Sequence, residues 1–152
     1  MEDLMSNEVR IKVKKLDEKA IIPMSAHLGD AGVDLYSIEN KNIEPGCIGL
    51  VRTGIAIKIP IGYEGQVRPR SGNALKKHYT VLNTPGTIDS GYRGEIGVII
   101  YNADRNNYVE IHEFDRIAQL VINEIPTPLI FEEVEELDST DRGTGGFGSS
   151  GD

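Results

Sequence analysis

The chain has 152 residues, a formal net charge of −8, no tryptophan and few aromatic residues. That length suits one domain able to bury a core without disulfides or a structural metal, and the scarcity of aromatics leaves Ile, Val and Leu to build it. The negative charge excludes a general nucleic-acid-coating protein, which needs a basic surface, but not a small phosphorylated ligand held by a few arginines and a metal ion.

Nothing near the start reads as an export, transit or membrane-spanning segment, so the sequence predicts a cytoplasmic protein with neither membrane nor nucleic acid among its partners. Val9, Ile11 and Val13 then alternate with Arg10, Lys12 and Lys14, the period-two pattern of a half-buried strand. In Ala31-Gly32-Val33-Asp34-Leu35-Tyr36-Ser37 a single acid, Asp34, interrupts an apolar strand. Cys47 to Val51 and Ile55 to Ile59 are two more strand-length runs. The lone Cys47 has no partner for an intrachain bridge and is expected to be buried in its strand.

Arg68-Pro69-Arg70-Ser71-Gly72-Asn73-Ala74-Leu75 brings a guanidinium fork, a hydroxyl and a helix start within one turn of each other, all donors suited to phosphate oxygens. The helix is predicted over Gly72 to His78, with Ser71 as its N-cap. From Asn83 to Glu95, Pro85 and the glycines predict a tight hairpin whose backbone can approach a ligand. In it Asn83, Asp89 and Tyr92 supply an amide, a carboxylate and a flat ring. Ile96 to Ile100 and Ile117 to Ile122 read as strands, the second carrying a polar Gln119 that must either satisfy backbone or face a pocket. Many short strands at close spacing predict an all-β sandwich, jelly roll or barrel.

The apolar and acidic stretch from Ile130 to Leu137 reads as a second helix. From Asp138 onwards the composition shifts to Ser, Thr, Asp and Gly, ending in Arg142-Gly143-Thr144-Gly145-Gly146-Phe147-Gly148-Ser149-Ser150-Gly151, which cannot bury enough apolar surface to fold alone. The expected organisation is therefore a β domain over 1–137 and a glycine-rich arm over 138–152, whose lone Arg and Phe suit it to order over a ligand.

In this order, the five segments resemble the five motifs of the trimeric dUTP pyrophosphatase (dUTPase) family. The resemblance spans about Ile21 to Gly151 and rests most on Pro-Gly-Thr-Ile-Asp, Tyr-Arg-Gly-Glu, Arg-Ile-Ala-Gln-Leu and the Gly-Gly-Phe-Gly tail. It implies a jelly-roll-like β unit, a β-clip, assembled as a homotrimer with shared active sites, and it turns the 130–137 stretch into a strand. The implied reaction is magnesium-assisted hydrolysis of dUTP to dUMP and pyrophosphate, which keeps uracil out of DNA and supplies dUMP for thymidylate synthesis.

By that resemblance, Val81 to Tyr92 would hold the uracil through Asn83 and the backbone of Gly86, Thr87 and Ile88, with Tyr92 against the deoxyribose. Asp89 would be the catalytic group, orienting the attacking water and contacting the sugar. Arg70, Ser71, Gly72 and Gln119 would contact phosphates, and Asp34 would hold hydrated Mg2+ through water. In the arm, Arg142 would meet the terminal phosphate while Phe147 and Gly148 close over the base. Arg68, Arg93, Arg116 and Glu95 match as framework or interface residues. Three positions depart from the family: Asn73 replaces a usual Leu, and His78 and Phe114 replace usual glycines.

The nearest rival is a dCTP deaminase of the same fold, but its doubled serine after the arginine is missing, since Gly72 and Asn73 follow Ser71. A non-catalytic nucleotide sensor is the rival of another class; it would tolerate loss of Asp89 or the arm, and both are present.

Overall fold

The computed structural model describes residues 8–146. Eleven strands and one short helix make up the described fold. In chain order the strands are β1 (Lys12–Lys15), β2 (Gly32–Tyr36), β3 (Lys41–Ile43), β4 (Ile48–Arg52), β5 (Ile55–Lys58) and β6 (Tyr63–Arg68). The helix α1 (Ser71–Lys77) follows, then β7 (Tyr79–Val81), β8 (Gly86–Ile88), β9 (Gly97–Asn102), β10 (Val109–Ile111) and β11 (Arg116–Glu124). All pairings are antiparallel: a four-stranded sheet ordered β2-β11-β6-β8, a three-stranded sheet β4-β9-β7, and the pairs β1-β5 and β3-β10.

Alternation of side chains decides which face each strand buries. In β4, Gly49 and Val51 point inward while Ile48, Leu50 and Arg52 point out. Inward residues from the sheets meet in one core that includes Leu35, Val51, Ile55, Val98, Ile100 and Ile117. Burying each such side chain stabilises the fold by roughly 1.5–3 kcal/mol before conformational entropy is charged against it. A β-bulge between Arg116 and Ala118 adjusts β11 against β2, and the remaining register then runs regularly from Ala118 to Val121.

Several local expectations need correction. Ser71 is the first helical residue rather than the cap; the N-cap is Arg70, in extended conformation and without a side-chain capping bond. Cys47 is exposed and sits just before β4, because its backbone is used in the turn from Glu44 and in bonding Asn102. The stretch Ile130 to Leu137 is neither helix nor strand; it is irregular and exposed, with Phe131 89% and Leu137 87% accessible. Its apolar side chains find nothing in their own chain to pack on. The tight hairpin expected across Asn83 to Glu95 is absent as well, since β7 pairs with β9 whereas β8 pairs with β6. That segment instead crosses from one sheet to another.

Two of the three family departures fall where the backbone is left-handed: His78 at φ 57, closing α1, and Phe114 at φ 68. Glycine fits such positions without a Cβ penalty, so both carry local strain. Asn73, the third, is buried and donates its amide to the Arg116 carbonyl at 2.8 Å, tying α1 to the start of β11. Among the described residues no helix is long and apolar enough to cross a membrane.

Candidate functional site

The four-stranded sheet places the motif residues. Its register sets Asp34 of β2 opposite Gln119 of β11, and Gln119 opposite Arg68 of β6, so one row of the sheet aligns three motifs. Past the end of β6, Arg70 turns back on this row: its Nε donates to Asp34 Oδ1 at 2.7 Å. Arg116 approaches the other oxygen of Asp34 at 3.6 Å. Gln119 donates to the Pro69 carbonyl at 2.9 Å, which answers its need for a partner and fixes the turn that delivers Arg70. Room for that amide comes from Gly32, where any Cβ would collide with Gln119 Oε1. Ser71 and Gly72 are exposed on the first turn of α1 beside this group.

At the opposite edge of the same sheet lies a cleft of about 180 Å3, lined by Val67, Asn83, Gly86, Thr87, Ile88, Asp89, Tyr92, Glu95, Ile96 and Gly97. As an edge strand, β8 pairs only with β6 and so keeps one row of backbone N–H and C=O groups free of any neighbouring strand. Those groups, with the Asn83 amide, can match a flat heterocycle edge to edge. Asp89 is exposed, and neither its carboxylate nor the Asn83 amide bonds to another described residue. Tyr92 folds back over Gly94 and donates to the Glu95 carbonyl at 3.0 Å, a fold possible because Gly94 has no side chain. Glu95 bolts the loop down by accepting from the Gly54 N–H at 2.8 Å and from Arg52 Nε at 3.2 Å.

The structure thus gathers the expected residues into two groups: Asp34, Arg70, Ser71, Gly72 and Gln119 in one; Asn83, Gly86, Thr87, Ile88, Asp89 and Tyr92 in the other. With three strand spacings between the outer strands, the sheet edges are about 14 Å apart. Arg142 joins neither group within the chain; it is exposed and donates to the Gly145 carbonyl at 3.0 Å. Phe147 and Gly148 lie outside the described residues. The sequence reading missed Gly32, Val67, Ile96 and Gly97. Gly32 stood within the first motif and could have been noticed, whereas Val67 reaches the cleft through its pairing with Gly86, which no local pattern announces.

A divalent ion finds no protein cage here. No three His, Cys, Asp or Glu residues converge among the described residues, and both oxygens of Asp34 face arginines. This donor set fits magnesium that arrives already bound by phosphates and water, for which one nearby carboxylate suffices as an outer contact. His27, His78 and His112 are exposed and apart from the cleft, and His78 pairs with Asp104 at 3.0 Å. That partner and the backbone N–H groups of Asn106 and Asn107 hold the Asp104 carboxyl well below the usual aspartate range. A larger groove of about 520 Å3, bordered by Ile11, Val33 and Ile122, holds none of the expected residues.

A family model described as dUTPase matches residues 18–151. The chain belongs to the dUTPase family. Among its relatives, the deoxyuridine 5'-triphosphate nucleotidohydrolase of Rhodococcus erythropolis is 52% identical over 147 residues, covering 97% of this chain and 89% of the relative. That of Clostridioides difficile is 54% identical over 141 residues, covering 93% and 97%. Among solved structures, the Staphylococcus bacteriophage 80alpha dUTPase with dUpNHpp superposes with a TM-score of 0.85 at 35% identity, covering 93% of this chain and 98% of that one. A mutant dUTPase from phage phi11 of S. aureus, in which a structural Mg(II) ion is coordinated, gives 0.78 at 33% identity, covering 86% and 99%.

Proposed function

We propose that this dUTPase-family chain hydrolyses dUTP, releasing dUMP and pyrophosphate. The observation that carries this reading is the cleft at β8, where an unpaired strand edge and a free amide face the same space as a free carboxylate. The free edge of Gly86, Thr87 and Ile88, with Asn83, reads the uracil, and a backbone that lies this close leaves no room for a thymine methyl. Tyr92 packs on the deoxyribose and excludes a 2′-hydroxyl. Polar groups matched to one base edge can discriminate by roughly 10⁴.

Asp89 orients the attacking water and accepts its proton, since a free carboxylate at the rim of the cleft can do both. Water attacks the α-phosphorus in line; the new oxygen–phosphorus bond forms as the bond to the β-phosphate bridge breaks, and pyrophosphate leaves. Arg70, with Ser71, Gly72 and Gln119 around it, binds the polyphosphate, and Arg142 meets its terminal phosphate. Phe147 and Gly148 close over the base and expel water. Asp34 would hold hydrated magnesium through water, and the ion, when bound, would supply charge neutralisation for the leaving pyrophosphate.

The working form is a homotrimer whose sites are shared between copies. In support, the first residue group runs from β2 across β11 to the turn after β6 and the second lies at β8, and a cleft of 180 Å3 is smaller than the ~300–1,000 Å3 of pockets that enclose a whole small ligand. Exposed apolar side chains at Ile48 and Leu50 on β4, and at Ile130 and Phe131 beyond β11, offer surface for association. In this reading 1–137 is the β domain, 138–152 is a covering arm, and the enzyme works in the cytoplasm.

The test is pyrophosphate release from dUTP, dTTP, dCTP and UTP, with and without magnesium. Cleavage is expected for dUTP alone and to disappear with chelator. Comparable turnover of all four would defeat the reading, and ammonia from dCTP would favour a deaminase.

A further inference from the structure

We propose that Asn73 is a positioning residue for phosphate recognition: from inside α1 its amide joins the two chain segments that bring Arg70 and Arg116 to the two oxygens of Asp34. This deepens the functional reading above and rests on it. β6 pairs with β11 only as far as Arg68 opposite Gln119, and the chain then leaves the sheet for α1. At the start of β11, beside the bulge that offsets it from β2, Arg116 therefore has no β6 residue opposite it. Asn73 supplies a donor there instead, its Nδ2 reaching the Arg116 carbonyl at 2.8 Å.

The contacts close into a ring. The Asn73 N–H donates to the Arg70 carbonyl at 3.1 Å. Arg70 Nε donates to Asp34 Oδ1 at 2.7 Å, and Arg116 Nη1 stands 3.6 Å from Asp34 Oδ2. The Arg116 carbonyl then leads back to the Asn73 amide. Asn73 is 5% exposed, and an amide buried so deeply costs free energy unless it is bonded. Ser37, Thr53 and Asn102 are the other buried polar residues among the described ones, and their side chains donate to the carbonyls of Glu39, Ile96, Ile43 and Asn107, none of which belongs to the phosphate group of residues. Asn73 alone spends its bond on a residue that touches Asp34. When a phosphate draws the Arg70 guanidinium away from Asp34, the Arg70 backbone stays where Asn73 holds it, and Arg116 remains as the carboxylate's partner. Only side-chain torsions of Arg70 then need to change, which lowers the ordering cost of gripping the anion.

The experiment compares Asn73→Ala and Asn73→Asp with wild type in the full chain, by melting temperature and by affinity for dUpNHpp and for dUMP. Alanine removes the donor and adds no atom; aspartate keeps the shape and puts an acceptor where the donor was. Both variants are expected to bind dUpNHpp about fivefold more weakly and dUMP as wild type does, with KM for dUTP raised by a similar factor and kcat kept. Because Asn73 acts through Arg70, the loss should vanish in an Arg70→Ala background. Unchanged dUpNHpp affinity overturns the proposal, as does equal weakening of both ligands or the same loss with and without Arg70. A lower melting temperature with an unchanged ratio of affinities, or failure of both variants to fold, assigns the amide to folding alone and overturns it too. Wild-type cleavage of dUTP is scored separately, so a chain that binds the analogue without cleaving dUTP removes the hydrolytic reading while the affinity ratio still decides Asn73.

Discussion

The two edges of the four-stranded sheet are prepared for a ligand in opposite ways. At the β2 edge the charges are already matched: Asp34 holds Arg70 at 2.7 Å and Arg116 at 3.6 Å, and Gln119 is bonded to Pro69. At the β8 edge the polar groups are unspent, with the Asn83 amide and the Asp89 carboxylate bonded to no other described residue. A matched cluster keeps its charges in place before any anion arrives, and an arriving phosphate must compete with Asp34 for Arg70. Unspent groups cost nothing to engage, because at an exposed rim they exchange water for ligand. The first arrangement suits a site that grips and positions, the second one that reads a base and performs chemistry.

The largest effect should come from the unspent edge. Asp89→Asn is expected to lower kcat by about 10²- to 10⁴-fold while dUpNHpp still binds, checked by single-turnover kinetics beside a binding titration. A near-wild-type rate would take Asp89 out of the reaction. Truncation before Arg142 should remove most activity and leave the melting curve where it was, because among the described residues the last regular element ends at Glu124. A fully active truncate would reduce the arm to an idle end.

At the matched edge, Gly32→Ala should push the Gln119 side chain from its place and weaken dUpNHpp by about tenfold with dUMP unaffected. Equal losses on both ligands would mean that the two edges do not work separately. The smallest effect lies away from both edges, at Asp104. Its folded carboxyl is held below the ordinary value of 3.8, so its contribution to stability is complete above that value and is lost as pH falls through it toward the lower folded value. Asp104→Asn should flatten the acid limb of a stability–pH curve from urea unfolding and leave catalysis alone. An unchanged acid limb would show that the carboxyl is not held low by its neighbours.

Much of this was readable before any coordinates. Strand-length apolar runs at Ile96 to Ile100 and Ile117 to Ile122, bounded by turn-forming residues, marked β9 and β11. The family's glycines at the positions of His78 and Phe114 pointed to turns, and both residues are left-handed. Short strands such as β3, β8 and β10 carry only three residues each, too few for a period to show, and they passed unread. Ile130 to Leu137 misled for another reason: apolar and acidic residues together satisfy a helical pattern, but a helix forms only where its apolar face has something to cover.

The amino-acid sequence alone determined the motif residues, their order and the predominantly β character, since residue type and local period are properties of the chain itself. Only the tertiary structure decided that β8 pairs with β6 while β7 pairs with β9, and that Asp34, Gln119 and Arg68 share one row. Strand partners are chosen by contacts far apart in the chain. A period of two says which face of a strand is buried, but it does not say against what.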